Sequence, residues 1–153
     1  MRHLAKLGTF IALTLILSSC GGKKVAFDEA QKVKKEGVAV WTNWLKDKGK
    51  KFDLQFNIQN EGKKDIIILL SDMSCFHGSV AGTLKHTFFN TGERTIDIHP
   101  GQLKSFNLVC NMGGESQGDY KILISRVYEN PNGDGKTRGK AIVNDLEWKG
   151  KAE

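Results

Sequence analysis

Met73, Cys75 and His77 alternate along the chain, and Cys110 is followed at the same interval by Met112. On an extended strand, alternate residues share one face. Two thiolates, two thioethers and an imidazole form a soft donor set that suits Cu(I). The competing reading is packing, because methionine beside cysteine fills irregular β-sheet cores. A second set is Asn130, Asn132, Asp134 and Gly135, which occupy positions 1, 3, 5 and 6 of an EF-hand-like calcium loop. Position 12 of that loop is Ala141, where calcium needs a bidentate glutamate. The same residue types populate hairpin loops, since they tolerate positive φ and form Asx turns.

Chemistry of other kinds finds less support. His77, His86 and His99 stand apart in the sequence and read as core or surface residues. The chain has no Gly-x-Ser-x-Gly elbow, no His-Glu-x-x-His, no phosphate loop and no Cys-x-x-Cys. No catalytic residue, no cofactor and no enzymatic activity are therefore expected, and none of the metal candidates is favoured.

These residues sit among segments that read as strands. Phe52, Leu54, Phe56 and Ile58 alternate with polar residues, the pattern of a half-buried strand. Val38–Leu45, Asp65–Ser71, Ser79–Leu84, His86–Phe89, Thr95–His99, Leu103–Cys110, Tyr120–Tyr128 and Lys140–Trp148 are further predicted strands. Turn signals stand at Asn60-Glu61-Gly62, Asn90-Thr91-Gly92, Pro100-Gly101 and Asn130–Gly135. Asp28 and Gln31 have capping-box spacing, and Gly37 could end a short helix begun there. With 153 residues, 39% hydrophobic and 26% charged, the chain has room for one globular domain. Strands at short spacing joined by turns predict an all-β antiparallel sandwich of about seven or eight strands. A small up-and-down β-barrel is the alternative.

The amino terminus carries an address. A basic start, Met1–Lys6, precedes an apolar run from Leu7 to Leu17 that matches a signal-peptide core. The following Leu17-Ser18-Ser19-Cys20 resembles the lipobox of bacterial lipoproteins. That resemblance implies cleavage after residue 19, acylation of Cys20 with palmitate-type chains, and a mature protein held on a membrane but otherwise soluble. Gly21 and Gly22, with no aspartate after the cysteine, imply the outer membrane, facing the periplasm. Removing residues 1–19 lowers the formal charge from +6 to +4. Residues 20–51 carry a net +5 and residues 52–153 a net −1, so the positive excess lies beside the anchor. Residues 20–36 read as a basic tether and 37–150 as the domain. Juxtamembrane lysines can meet anionic headgroups or form a solvated linker. Nucleic acid is not an expected partner.

In an oxidising envelope, the two cysteines left after Cys20 are expected to pair, so Cys75–Cys110 is a candidate disulfide. Gly118-Asp119-Tyr120-Lys121-Ile122 resembles the tyrosine corner of immunoglobulin-like domains. Pro100-Gly101-Gln102 with Leu103–Phe106 resembles the mid-domain turn of small immunoglobulin-like modules in bacterial lipoproteins. The resemblance implies an immunoglobulin-like β-sandwich, although the Cys-Trp-Cys pattern of antibody domains is absent. The expected function is non-enzymatic binding or scaffolding, with another envelope protein as partner through a strand edge or the loops. A copper-binding lipoprotein and an inhibitor of an envelope-directed enzyme such as lysozyme are the alternatives. Trp41 and Trp44 are candidates for a contact surface, and their spacing of three predicts opposite faces. With Trp148 they could equally be core residues.

Overall fold

The structure, a computed structural model, describes residues 24–26, 31–86 and 95–151. Eleven strands are found among them. They are β1 (Lys24–Ala26), β2 (Val33–Lys35), β3 (Val38–Asp47), β4 (Lys51–Asn60), β5 (Ile66–Leu69) and β6 (Met73–His77). The rest are β7 (Val80–His86), β8 (Thr95–Ile98), β9 (Leu103–Asn111), β10 (Tyr120–Glu129) and β11 (Ala141–Gly150). Every pairing is antiparallel.

Period-two alternation builds the core. Phe52, Leu54, Phe56 and Ile58 of β4 are all fully buried. Across the ladder they meet Cys110, Leu108, Phe106 and Lys104 of β9. From the facing sheet come Tyr120, Ile122 and Ile124 of β10, with Leu146 and Trp148 of β11 beside them. One sheet has β1 and β2 end to end along one edge of β3, then β4, β9 and β7. The other has β11, β10, then β5 and β6 end to end, with β8 on β5 and β7 on β6.

The two sheets are joined by one strand. Residues 80–82 of β7 pair with β6, while Thr83–His86 pair with β9. The corner falls at Gly82, and the Cys75–Cys110 disulfide spans the sheets there, with Cα atoms 6.1 Å apart. A Cβ on Gly82 would lie 2.5 Å from Cys110 Sγ and 2.7 Å from Met112 Sδ. Only glycine lets the backbone turn this close to the sulfur atoms.

Several sequence expectations change. The strand path runs openly from β1 to β8, so no barrel closes. The count of eleven exceeds seven or eight because β1, β2 and β6 fall where no strand was expected. The apolar run 65–71 stops at Leu69, where a 3-10 turn over Leu70–Asp72 interrupts it before β6 resumes. Strand β6 looks polar in sequence, since its inward residues are Met73, Cys75 and His77. The strand expected at 79–84 is β7, which runs on to His86, and the rest of the strand expected at 86–89 lies outside the described part. Of the stretch expected as a helix before Gly37, residues 27–30 lie outside the described part, while Val33–Lys35 is strand, as is Lys24–Ala26. Part of the stretch read as a tether therefore belongs to the sheet. Sheet hydrogen bonds to β3 outweigh a capping signal with a thin apolar stripe behind it.

Trp41 and Trp44 do not lie on opposite faces. The β3–β4 register shifts between Thr42 and Trp44, so Trp41 opposes Asn57 and Trp44 opposes Gln55, two ladder positions apart. The extra residue, Asn43, is a β-bulge, and it returns both indoles to the outer face of the sheet. Trp41 is buried there beneath Lys32, whose ammonium lies 4.5 Å from the ring centroid, while Trp44 is half-buried. Trp148 is a core residue with no exposure.

Reducing the disulfide, or replacing both cysteines with alanine, should cost about 3–4 kcal/mol for the loop of 35 residues it closes. The shift of the urea midpoint under reducing conditions measures this. Gly82→Ala should cost about 1–3 kcal/mol by overpacking, and less once the disulfide is reduced.

Candidate functional site

Antiparallel strands that each cross the sandwich once leave the loops at two ends. The first end holds the start of β1, the β3–β4 turn, the β6–β7 turn, the loop before β10 and the close of β11. Direct bonds tie it together. Tyr120 Oη donates to Asp47 Oδ2 at 2.7 Å, Met112 N to Lys50 O at 2.9 Å, and Gly78 N to Asp119 O at 2.8 Å. We call this the proximal end. The distal end holds the β2–β3 turn, the β4–β5 loop, the β8–β9 turn and the long β10–β11 loop.

At the proximal end the soft donor set is taken apart. Cys75 and Cys110 are bonded to each other, and Met112 Sδ contacts Cys110 Sγ at 3.4 Å. Met73 is buried in the core. His77 is 4% exposed and stacks on Tyr120 with centroids 4.4 Å apart. Its Nδ1 meets Ser116 Oγ at 2.9 Å. With both thiolates spent on the crosslink, the copper reading loses the ligands it rests on. Among the described residues no three His, Cys, Asp or Glu side chains are disposed to hold a metal ion. The Ser116–His77 pair, 39 residues apart in sequence, had no local signal. It lies at the rim of an open cavity of about 470 Å³ that Gly49, Val80 and Glu115 also line.

Tyr120 occupies the corner position that its motif implied, as the first residue of β10, and is 4% exposed. Its bond departs from that motif. The hydroxyl reaches the Asp47 carboxylate at the end of β3, not the backbone of its own loop. Burial, and then the Asp47 carboxylate, raise the hydroxyl above its ordinary value. The glycine of the motif is explained by close approach: a Cβ on Gly118 would lie 2.9 Å from Gly78 Cα.

At the distal end one buried amide organises the loops. Asn60 Nδ2 donates to Lys64 O at 2.7 Å and Ile98 O at 3.0 Å, and Oδ1 accepts from Gly62 N at 3.0 Å. Its backbone N–H donates to Gln102 O and its carbonyl accepts from Gly101 N. Around it are two adjoining cavities of about 300 and 290 Å³ that share Lys64 and Glu129. Val38, Ile66 and Ile142 give the first an apolar floor, and Glu36, Lys63 and Lys64 a charged rim. Lys64 Nζ and Glu129 Oε1 form an ion pair of 2.5 Å across the ridge between them. Asp65, which lines the second, pairs with His99 Nδ1 at 2.5 Å. His86 lies on β7.

The loop with calcium-like spacing is built otherwise. Asp134 accepts from the backbone N–H groups of Lys136 and Thr137 and from Thr137 Oγ1, at 2.8, 2.7 and 2.8 Å. These bonds, the Thr137 amide foremost, hold its carboxyl down to about 2. Asn132 Nδ2 donates to Thr137 Oγ1 at 3.0 Å. Asn130 is buried, and its backbone N–H donates to Asp65 O. Ala141, at the twelfth position, is the first residue of β11. The residues close a turn on themselves in place of a cation.

The outer edge of β11 is blunted. Asp145 has a left-handed φ of +51°, and Lys35 Nζ bonds the carbonyl of Asn144 at 2.5 Å. A kinked edge with a lysine on its carbonyls is a poor template for strand addition. Cys20, the candidate acylation site, lies outside the described residues.

Fold and surface together define an antiparallel β-sandwich module with loop cavities at both ends, two of them adjoining at the distal end. No family model matches the chain, and no curated protein matches it. Solved structures do. A candidate lipoprotein (ycdA) from Bacillus subtilis is 12% identical, with a TM-score of 0.52, over 79% of this chain and 38% of its own. The chain thus spans well under half of that protein. A functionally unknown protein from Listeria monocytogenes is 14% identical (TM-score 0.45) over 67% of this chain and 72% of its own. A FixG-related protein from Vibrio parahaemolyticus is 11% identical (TM-score 0.31) over 78% and 95%. At these identities the first supports the fold alone.

Two pH dependences follow. Because Tyr120 is raised in the folded state, its contribution is complete below the ordinary value of 10.0 and is lost as pH rises above it. Tyr120→Phe should cost about 1.5–3 kcal/mol, the range for a hydrogen bond to a charged acceptor, and should flatten that alkaline slope in urea titrations. Because Asp134 is depressed, the order it gives its loop is complete above 3.8 and is lost as pH falls through about 2. The Thr137 amide resonance should move in that window, and Asp134→Asn should abolish the movement.

Proposed function

We propose that this protein is a lipid-anchored, immunoglobulin-like module of the bacterial envelope that binds another envelope protein through its distal loops and performs no chemistry of its own. The observation that carries the binding role is the distal pair of cavities, with an apolar floor and a rim of both charges joined by the Lys64–Glu129 pair. Such a surface offers an apolar anchor site ringed by polar groups, the usual anatomy of a protein contact. The blunted β11 edge favours the loops over strand addition.

The envelope reading is supported by the lipobox-like Leu17–Cys20 and by the fold shared with a candidate lipoprotein. The immunoglobulin-like reading is supported by strand order. β3-β4-β9-β7 in one sheet and β11-β10-β6 in the other correspond to the A-B-E-D and G-F-C arrangement. The disulfide joins the strands equivalent to C and E, where antibody domains link B and F. The disulfide itself suits an oxidising compartment.

Two measurements test this. The intact mass of protein extracted from bacterial membranes should carry acyl chains on Cys20, and an unmodified chain would remove the anchor. A photo-crosslinking residue at Lys63 should capture one defined envelope protein in cells, while Lys63→Glu with Lys64→Glu should abolish capture by a crosslinker placed at Glu36. Capture insensitive to those substitutions would move the contact elsewhere. Covalent labelling of Ser116 by an alkyl fluorophosphonate would overturn the non-enzymatic reading.

A further inference from the structure

We infer that the lysine-rich β3–β4 turn docks on the anionic phospholipid headgroups of the membrane that carries the anchor, so that the distal cavities face away from it. The anchor is the lipoprotein reading above; the docking surface is an observation of the fold. β1 begins at Lys24, which is in register with Lys46 near the end of β3. Only three residues lie between Cys20 and Lys24, four steps along the chain. Fully extended, that is about 14 Å of chain, so an acylated Cys20 brings this end of the sandwich to the bilayer surface.

The β3–β4 turn meets the membrane there with Lys48, Lys50 and Lys51, all exposed, and half-buried Lys46 behind them. The acids within the turn are already engaged. Asp47 accepts from Tyr120 Oη and from Gly49 N at 2.7 Å, and Asp53 pairs with Lys48. Lys50 and Lys51 make no ion pair among the described residues. The turn is also held in shape, by Lys48 N on Lys51 O at 2.9 Å and Met112 N on Lys50 O at 2.9 Å. Its lysines are therefore presented together, with little ordering left to do on contact.

The same end is not uniformly basic. Glu115 and Asp119 lie in the loop before β10, on the side of the facing sheet. Exposed Lys149 and Lys151 close β11 on that same side, and the β3–β4 turn is where three exposed lysines stand within four residues. Headgroup attraction raises partitioning roughly fivefold for each lysine near an anionic surface, and falls off with salt.

The test uses the acylated protein reconstituted in vesicles of phosphatidylcholine with and without phosphatidylglycerol. Hydrogen exchange at the amides of residues 46–52 should slow only with phosphatidylglycerol, recover in high salt, and stay unchanged in Lys48→Gln/Lys50→Gln/Lys51→Gln. The loop at 130–139 should exchange alike in both vesicles. Equal exchange at the turn in both vesicles would overturn the docking, as would protection given equally by dissolved polyphosphate. A missing acyl chain on Cys20 is a separate failure, read from the mass. The unacylated chain should then still sediment with anionic vesicles and not with neutral ones if the docking surface is real.

Discussion

Everything in this molecule is arranged around one crosslinked corner. β7 leaves one sheet and joins the other at Gly82, and the Cys75–Cys110 bond ties the two sheets at that point. A strand shared between sheets fixes their relative position, and the disulfide limits how far they can part. Gly82 is the cost of placing both at one site, since any side chain there would meet the sulfur atoms. Phe52, His77 and Tyr120 pack as an aromatic cluster next to this corner, with Phe52 and Tyr120 centroids 5.2 Å apart. The crosslink thus sits beside the densest part of the proximal core.

From that corner the separation of the two ends follows. Each long strand crosses the sandwich once, so successive turns fall at opposite ends. β1 begins at the proximal end, and the loops that carry the two adjoining cavities around Asn60 fall at the distal end. The two ends are stabilised differently. The proximal end is held by the disulfide, the stacked rings and the Tyr120–Asp47 bond. The distal end is held by Asn60, whose side chain satisfies three backbone groups of two neighbouring segments, the β4–β5 loop and β8. A buried amide with all its bonds made is a strong positional constraint, because any movement leaves a desolvated group unpaired. The cavities are thus fixed at one side by Asn60 and at the other by the β10–β11 loop, which is closed by the short turn around Asp134.

Charge is distributed in keeping with this plan. Exposed lysines crowd the β3–β4 turn, while the distal rim mixes Lys63 and Lys64 with Glu36 and Glu129. Mixed charge around an apolar floor favours one orientation of a partner over others, whereas a single sign favours any surface of the opposite sign. The outer face of the β3-β4-β9 sheet is of a third kind. Asn43 bonds Gln55, and Ser105 bonds Asn57, so its amides are largely turned on one another.

Strand character, the antiparallel class, the common face that Met73, Cys75 and His77 would share if extended, and the strand positions of Val38, Phe52, Thr95, Leu103 and Tyr120 were all legible in the sequence. Each is a local matter of alternation and turn residues, which needs no knowledge of neighbours. What alternation could not show were the places where pairing partners override local preference. Val33–Lys35 is strand because β3 offers it a ladder, and the run at 65–71 breaks because β10 pairs with β5 and β6 in two separate stretches. The bulge at Asn43 exists only relative to β4, so no spacing rule could place the two tryptophans on one face. The distal cavities and the Ser116–His77 contact join residues 39 apart, or loops from three separate connections. Their proximity is set by the strand order, a property of the folded sheets that the linear chain does not carry in any local signal.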